Sequence, residues 1–158
     1  MKKSIILMAA LGILIILPIF FAAESDFRYE YKTVDNFIKD IPSINNNLSS
    51  QNIEIPGAAG LLIKNGNVLI SITMNDNSTR SFYVTLKEKK ITGISTGQPD
   101  KSDYVVSAGE NTAQGILDSE NRADYLLSAY KKGDVKVEAN GFGNSLKLFF
   151  ARFFLNFK

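Results

Sequence analysis

Acidic pairs are the residues of this sequence that could carry acid–base chemistry. Asp100 lies three residues before Asp103, while Asp118, Glu120 and Asp124 follow one another at spacings of two and four. Two carboxylates held near each other can act as general acid and general base. Each pair, however, falls in a predicted loop or at a predicted helix start, where solvation and capping account for acidic side chains. The pairs therefore predict no active site.

The other polar motifs are incomplete. The segment NDN at 75–77 has the spaced oxygen atoms of a calcium loop but lacks the downstream Gly and Glu, so a hairpin turn is predicted instead. No phosphate-binding loop occurs, and GFG at 141–143 is not a dinucleotide fingerprint. Glycosylation sequons begin at Asn47 and Asn77, both in predicted surface turns, and whether they are used stays open.

The chain contains neither histidine nor cysteine. The commonest general base, the commonest transition-metal ligand, disulfides and thiol nucleophiles are therefore all missing. We predict that the protein is not an enzyme and has no catalytic residues, metal site or cofactor. An enzyme that uses carboxylates or a Ser–Lys pair is kept as a rival hypothesis.

The charge is evenly balanced over most of the chain. The formal net charge is +2, and Lys2 and Lys3 account for it, because basic and acidic residues are equal in number beyond residue 23. A nucleic-acid-binding protein normally shows a basic excess over one face, so no nucleic-acid partner is predicted. With 45% hydrophobic and 22% charged residues, the composition is that of a globular domain.

The N-terminus predicts a membrane segment. Lys2 and Lys3 precede an uncharged run of 20 residues from Ser4 to Ala23. At 1.5 Å per residue such a run makes about 30 Å of helix, which spans a bilayer core. Residues 1–25 are predicted to be a retained signal anchor, and a signal peptide cleaved after Ser25 is the alternative. The lysines would stay cytoplasmic and place residues 26–158 on the extracytoplasmic side.

The remaining residues, 26–158, are predicted to form one α+β domain. In the helical lead-in at 26–65, Thr33 caps a short helix that ends before Pro42, and a polar loop follows at 43–52. From residue 66 on, apolar alternation predicts strands at 68–74, 82–87, 91–95, 104–107 and 135–139, with two short helices at 110–131. The Phe-rich residues 145–157 are predicted to be a helix packed on the sheet, and a helix at a membrane surface is the alternative.

The second half of the chain resembles the sterol carrier protein type-2 (SCP-2) family over roughly residues 66–158. SDYVVSAGENTAQGILDSENRADYLLSAYKKGDVKVEANGFGNSLKLF at 102–149 is similar to the family's fourth strand, its two short helices and its final strand, which is entered through a glycine. SFYVTLKEKKITGISTGQPDKSD at 81–103 is similar to the preceding meander. The resemblance implies a five-stranded, mostly antiparallel sheet covered on one face by short helices and an apolar C-terminal helix.

Members of that family enclose an apolar cavity and bind lipids without chemistry. The resemblance therefore implies a lipid-binding or lipid-transfer domain whose ligand is a lipid or another apolar small molecule. The predicted anchor favours a tethered module over a diffusing carrier. The alternative is a structural or protein-interaction module of the cell envelope with a filled core. The resemblance places the following residues in the cavity wall: Ile72, Phe82, Val84, Val106, Leu126, Tyr130, Val137, Phe149 and Phe153.

Overall fold

The computed structural model describes residues 32–48, 65–88 and 90–140, without the side chains of Asn47, Ala123, Leu127 and Ala139. The predicted N-terminal helix and the predicted C-terminal helix lie outside these residues. None of the helices within the three ranges combines the length and the apolar character that crossing a bilayer would require. The elements run in the order α1 (Val34–Leu48), β1 (Gly66–Thr73), β2 (Thr79–Lys87), β3 (Lys90–Thr96), β4 (Tyr104–Gly109), α2 (Glu110–Asp118), α3 (Arg122–Lys132) and β5 (Val135–Ala139).

The strands form one mixed sheet in the order β3-β2-β1-β4-β5. Neighbouring strands run antiparallel except β1 and β4, which are parallel. A parallel pair needs a long crossover between its two strands, and here the path from β1 to β4 passes through β2 and β3. The predicted α+β class and the five mostly antiparallel strands are confirmed.

One face of the sheet is apolar. In the centre, Val68 lies opposite Val84 on β2 and Tyr104 on β4, and all three side chains are buried. The next position on the same face pairs Ile70 with both Phe82 and Val106. Because successive side chains point to opposite faces, the intervening residues of these strands form the other face, which is mostly polar. The core therefore lies on one side of the sheet.

Helix α1 covers the β3 side of that apolar face and is longer than predicted. The Asn36 N–H donates to Thr33 Oγ1 at 3.1 Å, which confirms Thr33 as the N-cap. The helix does not end before Pro42 but continues through it to Leu48, so the predicted loop at 43–52 is wrong over its first residues. Proline within a helix removes one backbone hydrogen bond at a cost of about 3 kcal/mol. Burial of Ile44 and Leu48 offsets that cost, because each contributes about 1.5–3 kcal/mol.

The outer strand β3 is adapted to α1. Its pairing with β2 shifts between Thr85 and Leu86, which are opposite Gly93 and Ile91 respectively. This bulge allows Ile91 and Ile94, three residues apart, both to be buried in the core. From α1, Asn45 Oδ1 accepts a hydrogen bond of 2.9 Å from the Ile94 N–H. An outward backbone donor of this outer strand is thereby satisfied by a side chain.

Asp103 joins the ends of three strands. Its carboxylate Oδ2 accepts from the Asn67 N–H at 3.0 Å, and its own N–H donates to the Asn67 carbonyl at 3.0 Å. Its carbonyl accepts from the Asn140 N–H at 2.8 Å, just beyond β5. Gly66 has a φ of 139°, and a Cβ atom at this residue would lie 2.6 Å from Asp103 Oδ2. Asp103 thus fixes where β1, β4 and β5 begin and end.

Candidate functional site

The site lies where α3 meets β5, and local sequence fixes that junction. At the start of α3 the Asn121 side chain accepts from the Asp124 N–H. At its end Gly133 adopts a left-handed φ of 83° and donates to the Tyr130 carbonyl at 3.0 Å. The next N–H, of Asp134, donates to the Ala129 carbonyl at 2.9 Å. This glycine stop turns the chain directly into β5.

The helices α2 and α3 are joined by a side chain at their shared corner. The Arg122 guanidinium donates to the Leu117 carbonyl from Nε at 3.2 Å and from Nη2 at 3.0 Å. That carbonyl lies at the C-terminal end of α2, where backbone acceptors have no partner within the helix and attract a cation. The apolar residues that these helices and β5 bury against the sheet are Ile116, Leu117, Leu126, Ala129 and Val135.

Packing is incomplete at the end of α3, where an open groove of about 440 Å³ remains. Val135 is buried at its base, whereas Tyr130 and Val137 are half-buried beside it. Among the described residues, the exposed Lys131 and Lys136 also line the groove. Burial raises the pKa of the Tyr130 phenol. The groove therefore has an apolar wall with cationic side chains at its rim.

Two of the predicted cavity residues, Tyr130 and Val137, line this groove. Two others, Phe149 and Phe153, lie outside the described residues. The remaining five belong to the packed core and are at most 6% exposed: Ile72, Phe82, Val84, Val106 and Leu126.

At Phe82 the core is filled by α1. The rings of Phe37 and Phe82 meet edge to face with their centroids 5.2 Å apart. The sequence interpretation treated α1 as part of a lead-in, so it left this space open for a ligand. It also missed three lining residues. Val135 could have been found, since it alternates with Val137 on β5, but nothing in the sequence distinguishes Lys131 and Lys136 from other surface lysines.

The acidic motifs have structural roles. Asp118 accepts a hydrogen bond of 2.9 Å from Gln114 within α2. In the β1–β2 turn, Asp76 accepts from the Ser78 hydroxyl and the Ser78 N–H, which lower the pKa of its carboxyl. Across residues 32–48, 65–88 and 90–140, no three acidic side chains are arranged to share a metal ion. The segment 75–77 is thus part of a hairpin turn, as its sequence predicts.

The two sequons lie in different environments. Asn77 is exposed in the β1–β2 turn with a φ of 64°, which agrees with the predicted surface turn. The backbone of Asn47, in contrast, belongs to α1, so the predicted turn at that residue is wrong. The reason is again the continuation of α1 past Pro42.

No protein-family model matches the sequence, and no curated protein is similar to it. Among solved structures, the chain is similar to sterol carrier protein 2 from Yarrowia lipolytica in its apo form, with a TM-score of 0.37 and 18% identity over 48% of this chain and 57% of that one. It is also similar to the palmitated sterol carrier protein 2-like 2 of Aedes aegypti, with a TM-score of 0.39 and 14% identity over 68% of this chain and 79% of that one. Both of these solved structures carry the name of the family that the sequence resembles.

A partial match extends to an enzyme. An inverting sec-alkylsulfatase from a Pseudomonas species gives a TM-score of 0.33 and 23% identity over 49% of this chain, but only 11% of the sulfatase is covered. This chain spans little more than half the length of the Yarrowia protein and about a tenth of the sulfatase. A function for this protein has to be argued from its own residues.

Proposed function

We propose that this protein is a non-enzymatic lipid-binding domain, held at a membrane by its N-terminal residues with the domain on the extracytoplasmic side. The observation that carries the proposal is the groove of about 440 Å³ between α3 and β5. Binding sites for small molecules occupy about 300–1,000 Å³ and are mainly apolar with a few placed polar groups. The groove has a volume in this range and an apolar wall, and it is largely open to solvent.

The lining indicates which part of a lipid would lie where. Tyr130, Val135 and Val137 offer an apolar wall that suits an acyl chain, since burying each methylene contributes about 0.8 kcal/mol. Lys131 at the rim would meet an acidic head group in water-accessible surroundings. The sequence resemblance to lipid-binding SCP-2 domains supports the same ligand class.

A pair of matched substitutions tests the site. Val137 and Val105 are both half-buried valines on neighbouring strands, but they lie on opposite faces of the sheet. We expect Val137→Phe to fill the groove and weaken binding of a fluorescent fatty-acyl probe at least tenfold. The control Val105→Phe should bind the probe like the unmodified protein. Equal binding by both folded variants would show that the lipid site is elsewhere.

A second candidate function is a structural envelope module without a ligand. The observation in its favour is the filled core, to which five of the nine predicted cavity residues belong. The same probe assay separates the two, because such a module would show no saturable binding in any variant. Lipid bound by the full chain after gentle extraction from its source membrane, detected by native mass spectrometry, would favour the lipid-binding domain.

The proposed tether rests on the 20 uncharged residues from Ser4 to Ala23 behind two lysines. We expect the full chain to stay with membranes during an alkaline carbonate wash and to leave them in detergent. A mature chain that starts near Asp26 and is recovered in the soluble fraction would contradict the anchor and indicate a cleaved signal peptide.

A further inference from the structure

The two outer strands of the sheet differ in how their outward backbone groups are satisfied. On β3, Asn45 from α1 accepts from the Ile94 N–H. On β5, no side chain of the described residues accepts from or donates to the backbone of 135–139. An outer strand with unsatisfied peptide groups can pair with a strand of another chain. The β5 edge is therefore where another strand could be added.

The peptide groups that face this edge can be identified. The Asn140 N–H donates to the Asp103 carbonyl of the β4 side, and the β4–β5 register continues without a shift to Ala108 opposite Val135. Peptide groups point alternately to the two sides of a strand, so those of Glu138 and Lys136 also face β4. Those of Val135, Val137 and 139 consequently face outward.

We propose that two copies of this chain pair antiparallel through β5, with the two-fold axis at Val137. A two-fold axis perpendicular to the sheet keeps the apolar faces of both copies on the same side. Side chains alternate between the two faces along a strand, so residues that face each other must be an even number of positions apart in sequence. The axis therefore lies at a residue of β5 and not midway between two residues. An axis at Lys136 would place two lysines opposite each other, and an axis at Glu138 would do the same with two glutamates. The axis at Val137 avoids both like-charge pairs.

This register is complementary in charge and in shape. It places Lys136 of each copy opposite Glu138 of the other, on the polar face of the joined sheet. Both side chains are exposed, and neither forms a salt bridge with another described residue. On the apolar face, Val137 meets Val137 and Val135 meets residue 139. The Lys–Glu pairs are then non-hydrogen-bonded pairs, in which facing Cα atoms lie only about 4.5 Å apart and side chains interact best.

Pairing would also place the second copy next to the groove. The groove is lined by the consecutive residues Val135, Lys136 and Val137, so the β5 strand of the second copy would lie directly beside it. The pairing itself depends only on the edge of β5 and on two surface charges. Because Lys136 also lines the groove, the pairing is measured by sedimentation and not by lipid binding.

Charge reversal in the full chain, purified in mild detergent, tests the register. In Lys136→Glu or in Glu138→Lys, both cross-strand pairs of the dimer become repulsive. Sedimentation over a range of concentrations should show dimerisation weakened about tenfold or more in each single variant. Lys132, exposed at the end of α3 and outside β5, provides the control, and Lys132→Glu should dimerise like the unmodified chain.

Mixing the variants gives the decisive result. At positions 136 and 138, the Lys136→Glu variant has two acidic residues and the Glu138→Lys variant has two lysines, so an equimolar mixture of them should form heterodimers. The double variant Lys136→Glu, Glu138→Lys should form homodimers again. An unmodified chain that stays monomeric over the whole range would overturn the proposal. Single reversals that dimerise normally, or mixtures without rescue, would overturn the register.

Cysteine cross-linking adds a geometric test, since the natural chain has no cysteine. A mixture of Lys136→Cys and Glu138→Cys chains should form a disulfide between residues at facing positions. Each variant alone should not, because residue 136 of one copy and residue 136 of the other would be about 8 Å apart, beyond the roughly 7 Å that a disulfide spans. Equal cross-linking in the single variants would contradict a two-fold axis at Val137.

Discussion

Replacing Gly66 by alanine should destabilise the protein because two unfavourable effects coincide at that residue. The φ of 139° is in a region that residues with a Cβ atom rarely adopt, at a cost of about 1–3 kcal/mol. The new Cβ would lie 2.6 Å from Asp103 Oδ2 and 3.0 Å from its Cγ, so the carboxylate would have to move. Moving it weakens the 3.0 Å hydrogen bond from the Asn67 N–H, and hydrogen bonds to charged groups contribute about 1.5–3 kcal/mol.

The expected net loss is about 2–4 kcal/mol in the free energy of unfolding. Alanine stabilises the protein by about 0.4–1 kcal/mol because it restricts the unfolded chain more than glycine does. The hydrogen-bond contribution is also reduced, because 32% of the Asp103 side chain is accessible to solvent. Urea denaturation followed by circular dichroism measures this change. Gly93→Ala is the control, since Gly93 is also in a strand but has no positive φ, and its nearest contact would be 3.4 Å away.

A double-mutant cycle separates the two effects. In an Asp103→Ala background the contact with the carboxylate is absent, so Gly66→Ala should cost only the backbone strain. The difference between the two backgrounds should be about 1–2 kcal/mol. A Gly66→Ala variant as stable as Gly93→Ala would refute the reasoning altogether, and an equal cost in both backgrounds would refute the role given to Asp103.

Two further predictions concern the outer strand β3 and the tyrosines Tyr104 and Tyr130. Asn45→Ala should lower the free energy of unfolding by about 1–2 kcal/mol, because it leaves the half-buried Ile94 N–H without its acceptor. The control Ser43→Ala, at an exposed position of the same helix, should change stability by less than about 0.5 kcal/mol. Equal urea midpoints for the two variants would contradict this prediction. Burial raises the pKa of the Tyr104 phenol, aided by Asp103, and burial also raises that of Tyr130. Because both pKa values are raised on folding, their contribution should be fully present below about pH 10, the ordinary tyrosine value, and should be lost as the pH rises through the folded pKa values. The urea midpoint of the double variant Tyr104→Phe, Tyr130→Phe should fall less above pH 10 than that of the unmodified protein. If the two midpoints fall equally, the loss of stability belongs to other groups.

The sequence by itself determines the local elements of this protein. The alternation of Val68, Ile70 and Ile72 predicts a strand with one apolar face, and that face is buried. Gly133 after Lys131 and Lys132 predicts the helix stop, and the left-handed glycine is found there. Thr33 predicts the start of α1 in the same way. These features follow from nearest neighbours along the chain, whose preferences are short-range.

Tertiary packing decided where α1 ends and which space stays empty. Pro42 is a helix-ending signal in sequence, but burial of Ile44 and Leu48 against the sheet outweighs the lost hydrogen bond. The bulge that buries both Ile91 and Ile94 likewise depends on the neighbouring strand and on α1, not on the spacing alone. Helix α1 contacts Phe82 through Phe37, and the open space lies at the α3–β5 junction. Residues distant in sequence compete for the same apolar surface, and only their three-dimensional arrangement determines which of them cover it.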